Sequence, residues 1–133
     1  MKTLLVLLAV MVTAVLAAMP LAHAQNYGDV TSTLQNGTWT TPVNKQVQIV
    51  ADVTNGLDRD QPFAYIVQVL DNNGVVVQLS WLTGTLTAGQ SLSPSQSWTP
   101  TTPGNYTAEI FVWSGITNPD ALSAPLVMKI SVT

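Results

Sequence analysis

The chain has no cysteine, one histidine and few charges. Without cysteine it has neither a disulfide framework nor a thiolate metal site. The single histidine, His23, lies in an apolar N-terminal segment that reads as a removable leader. Once that segment is gone, no His or Cys remains to serve a nucleophilic triad. Charged residues make up 8% of the sequence, against roughly 25% in ordinary soluble domains. Ser, Thr, Asn and Gln take the polar positions instead, a composition suited to an exported protein. The bases Lys2, Lys45, Arg59 and Lys129 are scattered and the net charge is −3, so nucleic-acid binding has no electrostatic footprint. No cofactor is expected.

The first 24 residues read as a secretory signal peptide. Met1-Lys2-Thr3 is a short positive head, Leu4 to Ala18 is an uncharged apolar helix, Pro20 breaks it, and Ala22-His23-Ala24 is a small-x-small cleavage site. Cleavage is expected between Ala24 and Gln25. The alternative is an uncleaved anchor, the chain's only membrane attachment, but the apolar run falls short of the ~20 residues a spanning helix needs. With no lipobox cysteine, a lipoprotein anchor is excluded.

The rest predicts one all-β domain. Residues 25–45 form an N-terminal segment with a ragged first strand, within which Asp29 to Leu34 is a candidate edge and Asn36-Gly37 a turn. Residues 46–133 alternate with period two. From Gln46 to Thr54, Val47, Ile49, Ala51 and Val53 share a face. Phe63 to Leu70 is apolar on both faces, and Asp71-Asn72-Asn73-Gly74 makes a hairpin turn, since Asn-Gly supplies the positive φ angles tight hairpins need. Val75 to Trp81 returns. Gln90 to Thr99 carries a serine face, and Pro94 places it at a sheet edge or turns that backbone position to solvent. Tyr106, Ala108, Ile110 and Val112 alternate with Thr107, Glu109, Phe111 and Trp113. In the last strand, Leu126 to Val132, residues Leu126, Met128, Ile130 and Val132 point inward. About seven strands with no helical periodicity after residue 24 give a single antiparallel sandwich, preceded by the signal-peptide helix.

Two tracts carry a resemblance. Tyr106 opens a strand two residues after the Gly of Pro103-Gly104, and this resembles the tyrosine corner of immunoglobulin-like sandwiches, whose hydroxyl bonds backbone upstream. The run Leu86-Thr87-Ala88-Gly89-Gln90, Trp98-Thr99-Pro100, Pro103-Gly104-Asn105-Tyr106-Thr107-Ala108 resembles that region of prokaryotic secreted Ig-like and fibronectin-III-like domains. CARDB-type adhesion domains and BsuPI-type protease inhibitors share this look, and the whole chain is similar to small exported Ig-like proteins of archaea. The resemblance implies a sandwich cornered by Tyr106 and Trp98. It also implies that the strands around Phe63–Leu70, Tyr106–Trp113 and Leu126–Val132 are neighbours in one sheet. Trp98 would fill part of the core where antibody-type domains place a cysteine pair.

Candidate sites follow. If Tyr106, Ala108, Ile110 and Val112 face the core, then Phe111 and Trp113 face out, as do Ile66, Leu70 and Val127. Five large apolar groups on one sheet form a patch that monomers seldom leave bare. Either the N-terminal strand, the hairpin or the tail covers it, or it is an assembly or ligand surface. Glu109, the only glutamate, is expected to pair across strands with Lys129. Asp58, Asp60 and Asp120 are candidate oxygen ligands for Ca²⁺, although no repeat spacing supports them. Asn36-Gly37-Thr38 and Asn105-Tyr106-Thr107 are glycosylation sequons. The function expected is non-catalytic: contact with a protein, either another copy or an envelope partner, at the cell surface. In one variant Asn26 to Leu34 completes a neighbour's sheet. The alternative is a secreted binding module, for glycans through Trp39, Trp81 or Trp113, or for a protease.

Overall fold

The structure is a computed structural model that describes residues 28–133. The leader, the Ala24–Gln25 junction, Asn26 and Tyr27 lie outside the described residues. Nine strands and no helix make up what is described: β1 (Val30–Leu34), β2 (Thr38–Thr41), β3 (Val47–Asn55), β4 (Gln61–Leu70), β5 (Val76–Leu86), β6 (Ser91–Leu92), β7 (Ser95–Trp98), β8 (Gly104–Trp113) and β9 (Leu126–Val132). One sheet is built on β3, with β1 on one side and β6 and β7 on the other. The second runs β2-β9-β8-β4-β5.

The period-two faces close on each other as their spacing predicts. Val47, Ile49, Ala51 and Val53 of the first sheet meet Phe63, Tyr65, Val67, Val69, Ala108, Ile110, Val112, Met128 and Ile130 of the second in one buried cluster. Burying a side chain of this size contributes about 1.5–3 kcal/mol, so the interior holds the domain without cross-links. Tyr65 ties the two layers: its Oη donates to the Ile49 carbonyl across the interior, at 2.9 Å. Burial pushes the Tyr65 phenol well above its ordinary range, because a dry site disfavours the phenolate.

The tyrosine corner is present. Tyr106 Oη donates to the Thr102 carbonyl at 2.7 Å, and its ring meets Trp98 edge-on, centroids 4.8 Å apart. Gly104 precedes it at φ +152°, a conformation few other residues adopt. In the β4–β5 hairpin, Asp71 Oδ1 accepts from the amides of Asn73 and Val75, and Gly74 supplies φ +76°.

Two expected strands are each split in two. The N-terminal strand pairs first with β3, Val30 opposite Asn55 through Leu34 opposite Ala51. It then crosses to the other sheet, where β2 runs parallel to β9, the one parallel pairing among the described strands. Val30–Leu34, most of the segment that the donor-strand variant would lend to a neighbour, here pairs with β3 of its own chain. The serine-faced strand breaks between β6 and β7 at Ser93-Pro94. Proline has no amide to give a ladder, and its carbonyl accepts from the Ala51 amide instead, at 3.3 Å.

Asn55 was not singled out in the sequence, yet it is fully buried. Its Nδ2 donates to the carbonyls of Arg59, Leu86 and Thr87 at 2.9, 3.2 and 3.1 Å, and its Oδ1 accepts from the Leu57 amide at 3.0 Å. One carboxamide thereby ends β3, shapes the loop into β4 and holds the end of β5.

Candidate functional site

The outward face of the five-stranded sheet is read from its register. Across β5, β4 and β8, Trp81 stands beside Ile66, and Ile66 beside Phe111. The adjacent row is Thr83, Ala64 and Trp113; the row on the other side is Leu79, Gln68, Glu109 and, on β9, Val127. A further row holds Val76, Leu70, Thr107 and Lys129.

All five residues of the expected patch are on this face, but their exposure differs. Ile66 is only 7% exposed, which corrects the expectation that it is bare. It lies directly between Trp81 and Phe111, and alternation fixes which way a side chain points without fixing what its neighbours cover. Leu70, Phe111 and Trp113 are half-buried, the last two with ring centroids 5.8 Å apart. Val127 is 49% exposed, but a polar seam separates it from the aromatic group. There Gln68 Nε2 donates to Glu109 Oε1 at 3.2 Å.

The apolar surface instead extends onto β5, which the patch had left out. Leu79 is 52% and Trp81 53% exposed, with Val76 and Val77 also open. The signal was present in the alternation of Val77, Leu79 and Trp81. The Asp71–Gly74 hairpin already set this strand beside β4; that its other side is the sheet's open edge comes from the strand order.

The expected Glu109–Lys129 pair is corrected. Glu109 stands opposite Val127, and Lys129 opposite Thr107, where its Nζ donates to Thr107 Oγ1 at 3.1 Å. The two charges are a diagonal step apart. Asp58 and Asp60 lie in the β3–β4 loop and Asp120 in the β8–β9 loop. Among the described residues no group of three or more His, Cys, Asp or Glu side chains is gathered where a metal could be held. Asn36, in the β1–β2 turn, and Asn105, near the start of β8, are both exposed.

A cleft of about 380 Å³ opens between β2 and the β4–β5 turn, lined by Trp39, Asp71, Asn72, Asn105, Thr107 and Lys129 among others. One indole, two carboxamides, an acid and an ammonium group make it a surface for hydrogen-bonding ligands.

The model of the S-layer A-like family matches residues 14–132. The chain belongs to the S-layer A-like family. Among the curated proteins none matches. Of the solved structures, the CARDB domain of a Pyrococcus furiosus protein, crystallised in complex with di-metal ions, is similar to this S-layer A-like chain with a TM-score of 0.57 and 20% identity over 78% of this chain and 92% of that one. The solution structure of the same domain gives 0.59 and 22%, over 79% and 94%. A β-glucuronidase of glycoside hydrolase family 2 gives 0.53 and 14% over 77% of this chain, but only 11% of that one. At these identities the likeness shows the fold alone: an Ig-like sandwich. S-layer-like and CARDB domains are generally non-catalytic and of the extracellular or cell-surface kind, and this S-layer A-like chain shares their Ig-like fold.

Proposed function

We propose that the chain is a non-catalytic cell-surface module that works by contact with protein, exported by its leader and cleaved between Ala24 and Gln25. The observation that carries this reading is the cluster Trp81, Phe111 and Trp113 on the solvent side of a sheet whose inner side carries the buried core. Aromatic side chains dominate the energetics of protein interfaces. A sandwich core complete on the inside gains nothing from rings on the outside unless something covers them. The family description points the same way.

Lys129 shares this outward face, so an amine-reactive cross-linker applied to the native envelope samples it. The expected result is protein adducts through Lys129 that fall in a Trp113→Ser variant. An envelope that yields no protein adducts, or a Trp113→Ser chain that cross-links as before, overturns the reading. Intact mass of the same material reports leader removal and glycans at Asn36 and Asn105.

The Trp39 cleft favours a second reading, a glycan-binding module. A glycan on Asn105 would occupy that cleft, so the two uses exclude each other. Binding on a glycan array that disappears in Trp39→Ala would carry this reading; an array with no signal removes it.

A further inference from the structure

We propose that β5 is a docking edge for a second copy of this chain, with the two β5 strands pairing antiparallel about a two-fold axis at Ser80. The proposal rests on the protein-contact reading and narrows it to one partner and one kind of bond, main chain to main chain.

The edge itself is the first observation. β5 is the outermost strand of its sheet and eleven residues long. Among the described residues no strand pairs with its outer side. Alternate residues of such a strand present unpaired N–H and C=O groups, which are a template for another strand. Proteins that must stay apart blunt such edges with lysine, proline, bulges or shortness. β5 contains no charged residue and no proline. Its one irregularity of register lies opposite Val69/Leu70, at its beginning, and pairing from Gln78 to Leu86 is unbroken. The sheet's other edge, β2, is four residues long. In the first sheet β1 has five, and the β6–β7 edge is interrupted at Pro94.

The distribution of charge selects the occupant. From position 72 to position 108 the sequence runs 37 residues without a charge. That stretch contains β5, β6 and β7, which lie together on one flank of the sandwich, where Val77 and Gln78 share a cleft with Ser97 and Trp98. Elsewhere in residues 28–133, seven acids outnumber three bases. Two copies meeting by β5 along this flank set no charged residue of one strand against a like charge of the other. A two-fold pairing about Ser80 also sets Trp81 of each copy opposite Leu79 of the other. The two most exposed apolar side chains of the outward rows would then cover each other, and every contact occurs twice.

The test uses the full chain as isolated from its envelope. Light scattering should show a monomer passing to a dimer with concentration, and β5 amide hydrogen exchange should slow in step. Leu79→Lys should weaken the dimer about tenfold or more, since a lysine on an edge opposes pairing. Mixing Leu79→Lys with Trp81→Glu should restore a mixed dimer, because the register places those two positions face to face. Both side chains are half exposed, so neither change empties the core. A dimer whose β5 amides exchange freely but which Trp113→Ser dissolves overturns the edge proposal and leaves the face contact standing. Failure of the charge-swapped mixture to reassociate overturns the register at Ser80. A monomer at every concentration, including one whose β5 amides are shielded by its own N-terminal segment, overturns the second copy as occupant. The protein-contact reading is then decided separately, by the Lys129 adducts.

Discussion

The two sheets of this sandwich turn opposite surfaces to solvent. On the outside of the first sheet, side chains bond to one another across strands: Ser95 Oγ donates to Gln48 Oε1 at 2.6 Å, Ser93 Oγ to Asp52 Oδ1 at 2.6 Å, and the Thr54 and Ser91 hydroxyls meet at 2.8 Å. On the outside of the second, the corresponding positions are Trp81, Ile66, Phe111 and Trp113. Both surfaces come from the same period-two alternation over the same interior, so the interior does not require the difference. A polar skin is sufficient for a sheet that meets only water. The apolar skin therefore belongs to the second sheet's task, and the comparison separates what folds the chain from what it presents.

The largest expected effect tests the interior that both skins share. Asn55→Ala takes the Asn55 carboxamide away from the carbonyls of Arg59 and Leu86 and the amide of Leu57, while the Thr87 carbonyl keeps the Gln90 amide. With an unsatisfied buried polar group costing about 1–3 kcal/mol, the loss should reach about 3 kcal/mol or more. It should be read as a lowered urea midpoint with little change in slope. A loss under about 1 kcal/mol would mean that water replaces the carboxamide and that the junction of β3, β4 and β5 is looser than its hydrogen bonds indicate.

The next effect addresses the comparison itself. Ile66→Ala, on the outward face but closed over by Trp81 and Phe111, should cost about 2–3 kcal/mol, in the range of core truncations. Ser93→Ala, at a polar outward position of the first sheet, should cost under about 0.5 kcal/mol. Equal effects at the two sites would erase the distinction between the skins. A large effect at Ile66 means the apolar skin is a packed layer with its own small core.

Much of this was legible in the sequence, and what was not has specific physical reasons. Tyr106 and Trp98 were readable because a turn chemistry, Pro-Gly, stands at a fixed distance from an alternating strand. The last strand, Leu126–Val132, was readable for the same kind of reason. Alternation placed Ile66, Leu70, Phe111, Trp113 and Val127 on the outward face correctly. Exposure did not follow, because it depends on cross-strand neighbours, and these depend on register. The Glu109–Lys129 expectation failed for that reason: a slip of two residues preserves every face and changes every partner. Asn55 was hidden among turn-forming neighbours, since its three carbonyl partners come from residues 59, 86 and 87, and only the closed fold brings them together. The crossing of the N-terminal strand from one sheet to the other has no local signal beyond Asn36-Gly37.

The smallest effect concerns the polar skin. Hydrogen bonds from Ser93 and then Gln35 hold the Asp52 carboxyl below its ordinary value of 3.8, against a slight opposing effect of desolvation. A carboxyl whose folded value lies below its unfolded one binds its proton more readily when unfolded. It therefore contributes stability that is present above pH 3.8 and is lost as pH falls through the folded value. Denaturation midpoints followed from about pH 6 to about pH 2 should include a shallow fall in this acid window that Asp52→Asn removes and Ser93→Ala reduces. Because the side chain is in full contact with solvent, added salt should not be needed to reveal the effect and should shrink it. The aromatic cluster of the second sheet has no counterpart to this titration, because Trp81, Ile66, Phe111 and Trp113 carry nothing that ionises. An acid-sensitive step that follows Asp52 while association through β5 stays constant over the same range would show the two skins acting independently. A dimer that dissolves along with the Asp52 titration would tie them together and break the comparison from its polar side.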